Sequence, residues 1–191
     1  AKVYVKLHKR TEKLEQEMAK FVTSHARCAN FRITEGYYDV IFVVTYKVAD
    51  TLHEILRRIS ERFGTEIVEK TLHLIKSSHR FNQKLLYDGG RQHLKFDHSR
   101  KDVGLDKLDI ALIKQLVGDG RKRIVDVANE LGKDAQMITY RLRKLREKGV
   151  VVAFQPMVEY TKLGYQLVLL DFVLTDSTKT SAILEFFDSS R

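Results

Sequence analysis

Residues 105–149 read LDKLDIALIKQLVGDGRKRIVDVANELGKDAQMITYRLRKLREKG, three apolar stripes at helical spacing separated by glycine-containing turns. The first stripe comprises Leu105, Leu108, Leu112, Ile113, Leu116 and Val117 and closes at Gly118 and Gly120. The second is short, with Val125, Val127, Ala128 and Leu131 apolar, and ends at Gly132, because only glycine enters the left-handed backbone region at little cost. The third starts at Asp134, a residue suited to cap a helix, buries Ile138, Leu142 and Leu145, and stops at Gly149. Left outward are Ala135, Gln136, Thr139, Tyr140 and Arg143, short or planar groups able to reach base edges in a major groove. The pattern predicts a helix-turn-helix whose third helix is the recognition helix, followed by a wing, over Leu105 to Tyr165.

Charge falls on the same stretch. Residues 121–148 hold nine Lys or Arg against four Asp or Glu, a net +5, whereas residues 1–80 need fifteen basic and ten acidic residues to reach the same balance. Basic charge concentrated in this way suits a polyphosphate, whose condensed counterions are released on contact. Arg121, Lys122, Arg123, Lys144 and Lys148 are the candidates for gripping phosphates, and Gln136, Thr139, Tyr140 and Arg143 for reading bases. The alternative reading of such charge is a solvated helix face.

Residues 105–165 resemble the DNA-binding domain of the Lrp/AsnC family, the feast/famine transcription regulators. The resemblance is carried by Leu105-Asp106 with Asp109, Leu112-Ile113 and Leu116, Asp119-Gly120-Arg121, Val127-Ala128, Leu131-Gly132, Arg141-Leu142 with Leu145, Gly149-Val150-Val151 and Leu163-Gly164-Tyr165. Two positions depart from the family pattern. Arg123 stands where a small hydroxyl residue usually caps the second helix, and Asp134 stands where serine is common, placing a carboxylate near the expected phosphates.

The first 80 residues alternate differently. Val3, Val5 and Leu7 read as a half-buried strand, and Leu14, Met18, Phe21 and Val22 as a helix. Residues 28–34 and 40–46 read as a hairpin turning at Glu35-Gly36-Tyr37, Leu52 to Phe63 as a second helix ending at Gly64, and residues 68–76 as a last strand. The order strand-helix-strand-strand-helix-strand predicts a ferredoxin-like βαββαβ unit with both helices on one face. This half resembles the RAM domain of the same family, an ACT-like fold, through Thr34-Glu35-Gly36-Tyr37-Tyr38-Asp39, Val40 to Val44, Leu52 with Leu56, and Thr71-Leu72-His73-Leu74-Ile75. The resemblance implies dimerisation or higher homo-oligomers through the sheet. It also implies a small-molecule effector, an amino acid or related metabolite, bound near the glycine turn by Gly36, Tyr38, Asp39 and Thr71. A turn-stabilising carboxylate is the equally open reading of Asp39.

Familiar members of the family place the DNA domain first, and here the order is reversed. The expected organisation is a RAM-like domain at 1–81, a linker at 82–104, a winged helix-turn-helix at 105–160 and the start of a second RAM-like unit at 161–191. That last segment pairs a strand at 166–174 with a helix at 178–187, repeating the opening of residues 3–22. The expectation is a tandem protein of alternating units of which this chain is a piece; the other reading is a final strand and helix that join another subunit. Residues 82–104 are polar around Asp88-Gly89-Gly90 and read as a solvated linker, with Arg91, Lys95, Arg100 and Lys101 as possible phosphate contacts.

The fold class is therefore α+β, a ferredoxin-like domain plus a winged helix-turn-helix, ending in a partial second ferredoxin-like unit. Composition is globular, with 43% hydrophobic and 31% charged residues, and a net charge of +9 favours an acidic partner such as double-stranded DNA. With one cysteine, Cys28, and no apolar run of membrane length, a cytoplasmic protein without membrane contact is expected. The seven histidines lack metal-ligand spacing, and neither a phosphate-binding loop nor a nucleophile elbow occurs, so no cofactor, metal or catalytic residue is expected. Two alternatives stay open: a sensing or assembly module that does not bind DNA, and an enzyme similar to the sirohaem decarboxylases, which resemble this family in both halves.

Overall fold

A computed structural model describes residues 1–25, 27–81, 93–98 and 103–189. The chain divides into two compact units, the first built on residues 1–78 and the second containing the helices from Lys107 onward.

In the first unit β1 (Lys2–Leu7), α1 (Glu12–Thr23), β2 (Cys28–Ile33), β3 (Val40–Val44), α2 (Ala49–Phe63) and β4 (Ile67–His73) follow in the expected order. The strands pair antiparallel as β2-β3-β1-β4, the ferredoxin-like arrangement. Alternation along the strands sends Val3, Val5, Leu7, Val40, Phe42 and Val44 to one face. There they meet Met18 and Val22 of α1 and Leu52, Ile55, Ile59 and Phe63 of α2. Thr11 starts α1 by accepting the Leu14 N–H at 3.3 Å. Tyr4 points to the opposite face yet is only 3% exposed, because the rings of Tyr38 and His73 lie 5.1 and 4.9 Å from its own.

Beyond β4 the structure departs from the sequence reading. The last strand stops at His73, and Ser77–Arg80 (β5) pairs with Leu94–Asp97 (β6) as a two-stranded ribbon. Part of the expected linker is therefore strand. The alternation of Leu94 and Phe96, half-buried, with Lys95 and Asp97, exposed, is the period-two signal behind it. The ribbon brings His79 Nδ1 within 2.8 Å of His93 Nε2. Of the possible linker contacts, Lys95 lies exposed on β6, while Arg91, Arg100 and Lys101 fall outside the described residues.

The second unit is built on α3 (Lys107–Gly118), α4 (Ile124–Leu131) and α5 (Ala135–Glu147). Its core gathers Leu112 and Leu116 of α3, Val127 and Ala128 of α4, and Ile138 and Leu145 of α5, with Leu142 packed partly buried against them. Two residues assigned to the apolar stripes lie outside the core: Val117 is 80% exposed and Val125 57%. Each sits one helical step, about 100°, off the inward line set by its neighbours.

After α5, at the wing position, Val151–Glu159 runs without helix or strand pairing. Pro156 lies within it and has no N–H to give to a ladder. The Phe154 ring covers Gly120, where an added Cβ would lie 3.0 Å from Cδ1. The strand expected at 166–174 does not form either. Gln166 to Leu174 is exposed throughout, with Val173 at 96%, because a strand needs a partner to satisfy its backbone and no described strand pairs with it. The helix expected after it is present as α6 (Thr180–Ser189). Among the described residues no helix is long and apolar enough to cross a membrane.

Phe42 is fully buried at the centre of the first unit's core. Phe42→Ala is expected to destabilise that unit by about 3–5 kcal/mol, the range for emptying an aromatic core site, read as a lower denaturant midpoint for loss of its sheet signal. A change within error would remove Phe42 from the core.

Candidate nucleic-acid interface

The turn between α4 and α5 sets the geometry. Gly132 closes α4 at φ 60°, ψ 41°, and its N–H bonds back to the last turn of α4. Asp134 then caps α5 by accepting the N–H groups of Gln136 at 2.7 Å and Met137 at 3.3 Å. That carboxylate, which the sequence placed near phosphate, is turned into the helix end. At Arg123 the N-terminus of α4 has no side-chain cap, as expected. Its guanidinium instead makes two bonds to Asp126, at 2.8 and 2.9 Å, and holds that carboxyl below the ordinary range.

The rotation of α5 is fixed by an interaction that the sequence reading did not single out. Asp106 and Asp109 form a reciprocal capping box at the start of α3. The Arg141 guanidinium bridges both carboxylates, at 2.5 Å to Asp106 and 2.9 Å to Asp109. The Asp109 N–H bond and Arg141 together hold the Asp106 carboxyl below its ordinary value. Only the Asp106, Asp109 spacing was available as a signal, and spacing does not show which cation answers it.

With Ile138, Arg141, Leu142 and Leu145 directed toward α3 and α4, the set two residues behind is turned about 200° away. That set is Gln136, Thr139, Tyr140 and Arg143, all exposed. They line a groove of about 460 Å³ together with Ile124, Val125 and Ala135. Thr139 Oγ1 donates back to the Ala135 carbonyl at 2.8 Å, so its proton is engaged within the helix. The Arg143 guanidinium and Lys144 ammonium lie 5.5 and 5.7 Å from the Tyr140 ring centroid.

The candidate phosphate residues are less uniform. Arg121 is exposed, and its backbone N–H is held by Asp119 at 2.9 Å. Lys122 is half-buried and bridges Gln115 at 2.7 Å and Glu130 at 2.6 Å. Lys144 binds Glu147 at 2.8 Å, and Lys148 donates to the Val103 carbonyl at 3.0 Å. Of these five, Lys122 is the most fully committed to its own unit.

The four effector candidates separate in the first unit. Asp39 is 6% exposed and accepts the Leu7 N–H at 2.8 Å, beside the point where the β1–β4 register shifts, with Lys6 3.4 Å away. This geometry favours the turn-stabilising reading. Tyr38 and Thr71 meet on the helix-free face, 3.2 Å apart, and both donate to Glu69 at 3.0 Å. Tyr37 adds a third hydroxyl at 2.9 Å, and these bonds hold Glu69 below the ordinary carboxylate range. The sequence reading missed Glu69 because a single acidic residue on a strand carries no motif. Gly36 is exposed, and a Cβ there would meet nothing within 4 Å.

Residues 105–152 match a family described as winged helix-turn-helix DNA-binding. This part of the chain is similar to the winged helix-turn-helix of DNA-binding regulators. Among similar proteins, the leucine-responsive regulatory protein of Rhizobium meliloti (strain 1021) is 36% identical over 66 residues, 35% of this chain and 42% of its own. The HTH-type transcriptional regulator FL11 of Pyrococcus horikoshii is 32% identical over 81 residues, 42% of this chain and 54% of its own. The HTH-type transcriptional regulator Ptr1 of Methanocaldococcus jannaschii is 29% identical over 66 residues, 35% of this chain and 45% of its own. The chain spans about half the length of the curated relatives it matches. No solved structure matches significantly.

The Arg141 bridge within the helical unit has a pH signature. A depressed carboxyl stabilises the fold above its ordinary value of 3.8 and loses that contribution as pH falls through its lowered value. Acid unfolding of the helical unit should therefore be steep below about pH 4. Arg141→Met should lower the thermal midpoint at pH 7 and flatten the acid limb, as followed by helical circular dichroism. An unchanged acid limb would show that the bridge does not fix α5.

Proposed function

We propose that this chain binds double-stranded DNA in a sequence-specific manner through α5 and regulates transcription. The observation that carries the reading is the outward set of Gln136, Thr139, Tyr140 and Arg143 on a capped helix whose opposite face is locked to α3. Arg121, Arg123, Lys144 and Lys148 supply the positioning contacts to phosphate, with Lys122 the weakest member of that group. The regulator names of the similar proteins support the assignment over an enzymatic one.

The first unit is the proposed sensing and oligomerisation domain. Its partner is a second copy of the chain, meeting through the sheet, and its ligand is an amino acid or related small metabolite. Tyr38 and Thr71, with Glu69 between them, are the proposed effector-facing groups, Gly36 leaves the adjoining turn open, and Asp39 holds that turn. Effector binding would act on DNA through a coupling free energy between the two sites.

Selection of this chain on a random-sequence DNA library at near-physiological salt tests the reading. A compact enriched motif is expected. Arg143→Ala should cost about 1–3 kcal/mol and relax one position of it if Arg143 reads a guanine edge, and affinity should fall steeply with added salt. Retention with no enriched motif, or no retention, would overturn sequence-specific binding.

A further inference from the structure

The outward face of α5 is not purely polar where it meets α4. Val125 lies about 100° off the inward line of α4 and is an apolar residue left 57% exposed. With half-buried Ile124 and Ala135 it forms the apolar part of the groove whose other walls are Gln136, Thr139, Tyr140 and Arg143. Phosphate recognition does not call for such a surface, since phosphate oxygens need only donors and positive charge.

A duplex major groove offers donors and acceptors at every base pair and one natural apolar group in the unmodified code, the C5 methyl of thymine. Gln136 and Arg143, which flank the apolar patch, are residue types that pair with adenine and guanine edges. Thr139, with its proton engaged by the Ala135 carbonyl, brings no free donor to that wall. The patch thus shares one groove with Gln136, Tyr140 and Arg143, the groups proposed to meet base edges.

We propose that Val125, together with Ile124 and Ala135, forms a notch that receives a pyrimidine C5 methyl, normally that of thymine, and so specifies one base pair of the target site. This inference rests on the DNA-binding reading above and adds a specificity determinant from α4 to a code otherwise carried by α5. The notch excludes water from a methyl that would otherwise stay hydrated, and a base lacking the methyl leaves Val125 wet.

The test uses the full chain and the duplex enriched in the library selection. Each thymine is replaced in turn by deoxyuridine, which removes only the C5 methyl, and affinity is read by fluorescence anisotropy. At one position, or two adjacent ones, affinity should fall about three- to tenfold, with the remaining thymines neutral. Val125→Ala, at an exposed site that the fold tolerates, should lower affinity for the thymine duplex to that of the deoxyuridine duplex and abolish further sensitivity at that position. A parallel set with C5-methylated cytosines identifies the source of the methyl: a gain at one position, lost in Val125→Ala, assigns the notch to methylcytosine. Sequence-specific binding without any methyl-sensitive position, or with sensitivity unchanged in Val125→Ala, would overturn the notch and leave the DNA reading standing. Absence of an enriched motif would overturn both.

Discussion

The Arg141 guanidinium, held between Asp106 and Asp109, is the interaction on which the second unit's candidate interface depends. Packing of Ile138, Leu142 and Leu145 would keep α5 against its neighbours, but apolar contacts are non-directional and tolerate small rotations. A planar cation with two fixed acceptors does not. It couples the start of α3, where the capping box already positions both carboxylates, to the middle of α5, and so determines which residues face outward. Asp134 and Gly132 set where α5 begins; Arg141 sets its turn about its own axis.

The first unit shows the same division between residues that hold and residues that present. Asp39 satisfies a backbone N–H at the end of β1, where the register with β4 shifts, so its carboxylate serves the fold. On the helix-free face the hydroxyls of Tyr37, Tyr38 and Thr71 converge on Glu69 beside the Tyr4 ring, a polar cluster on an aromatic floor. Neighbouring positions of one turn thus have different roles, and only hydrogen-bond partners distinguish them.

Much of the fold was legible because periodicity is local. The alternation of Val3, Val5 and Leu7 and the helical spacing of Leu52, Ile55, Ile59 and Phe63 fix which faces are buried, and the antiparallel order followed from the element sequence. Gly132 and Asp134 announced the turn before α5. What failed were features that depend on distant partners. The strand expected at 166–174 has the right residues but pairs with no described strand, and β6 was hidden because its partner lies across a polar stretch. At the candidate interface the exposure of Gln136, Thr139, Tyr140 and Arg143 followed from spacing, whereas Ala135, also read as outward, is half-buried against the core. The exposure of Val125 and the bridging by Arg141 and Lys122 did not follow from it, since each depends on how three helices pack.

The most direct test of α5 as the reading element is backbone amide NMR of the full chain titrated with its enriched duplex. The largest shift changes are expected at Gln136, Thr139, Tyr140 and Arg143 and in the first turn of α4. Changes confined to the first unit, or to residues after Val151, would contradict recognition by α5.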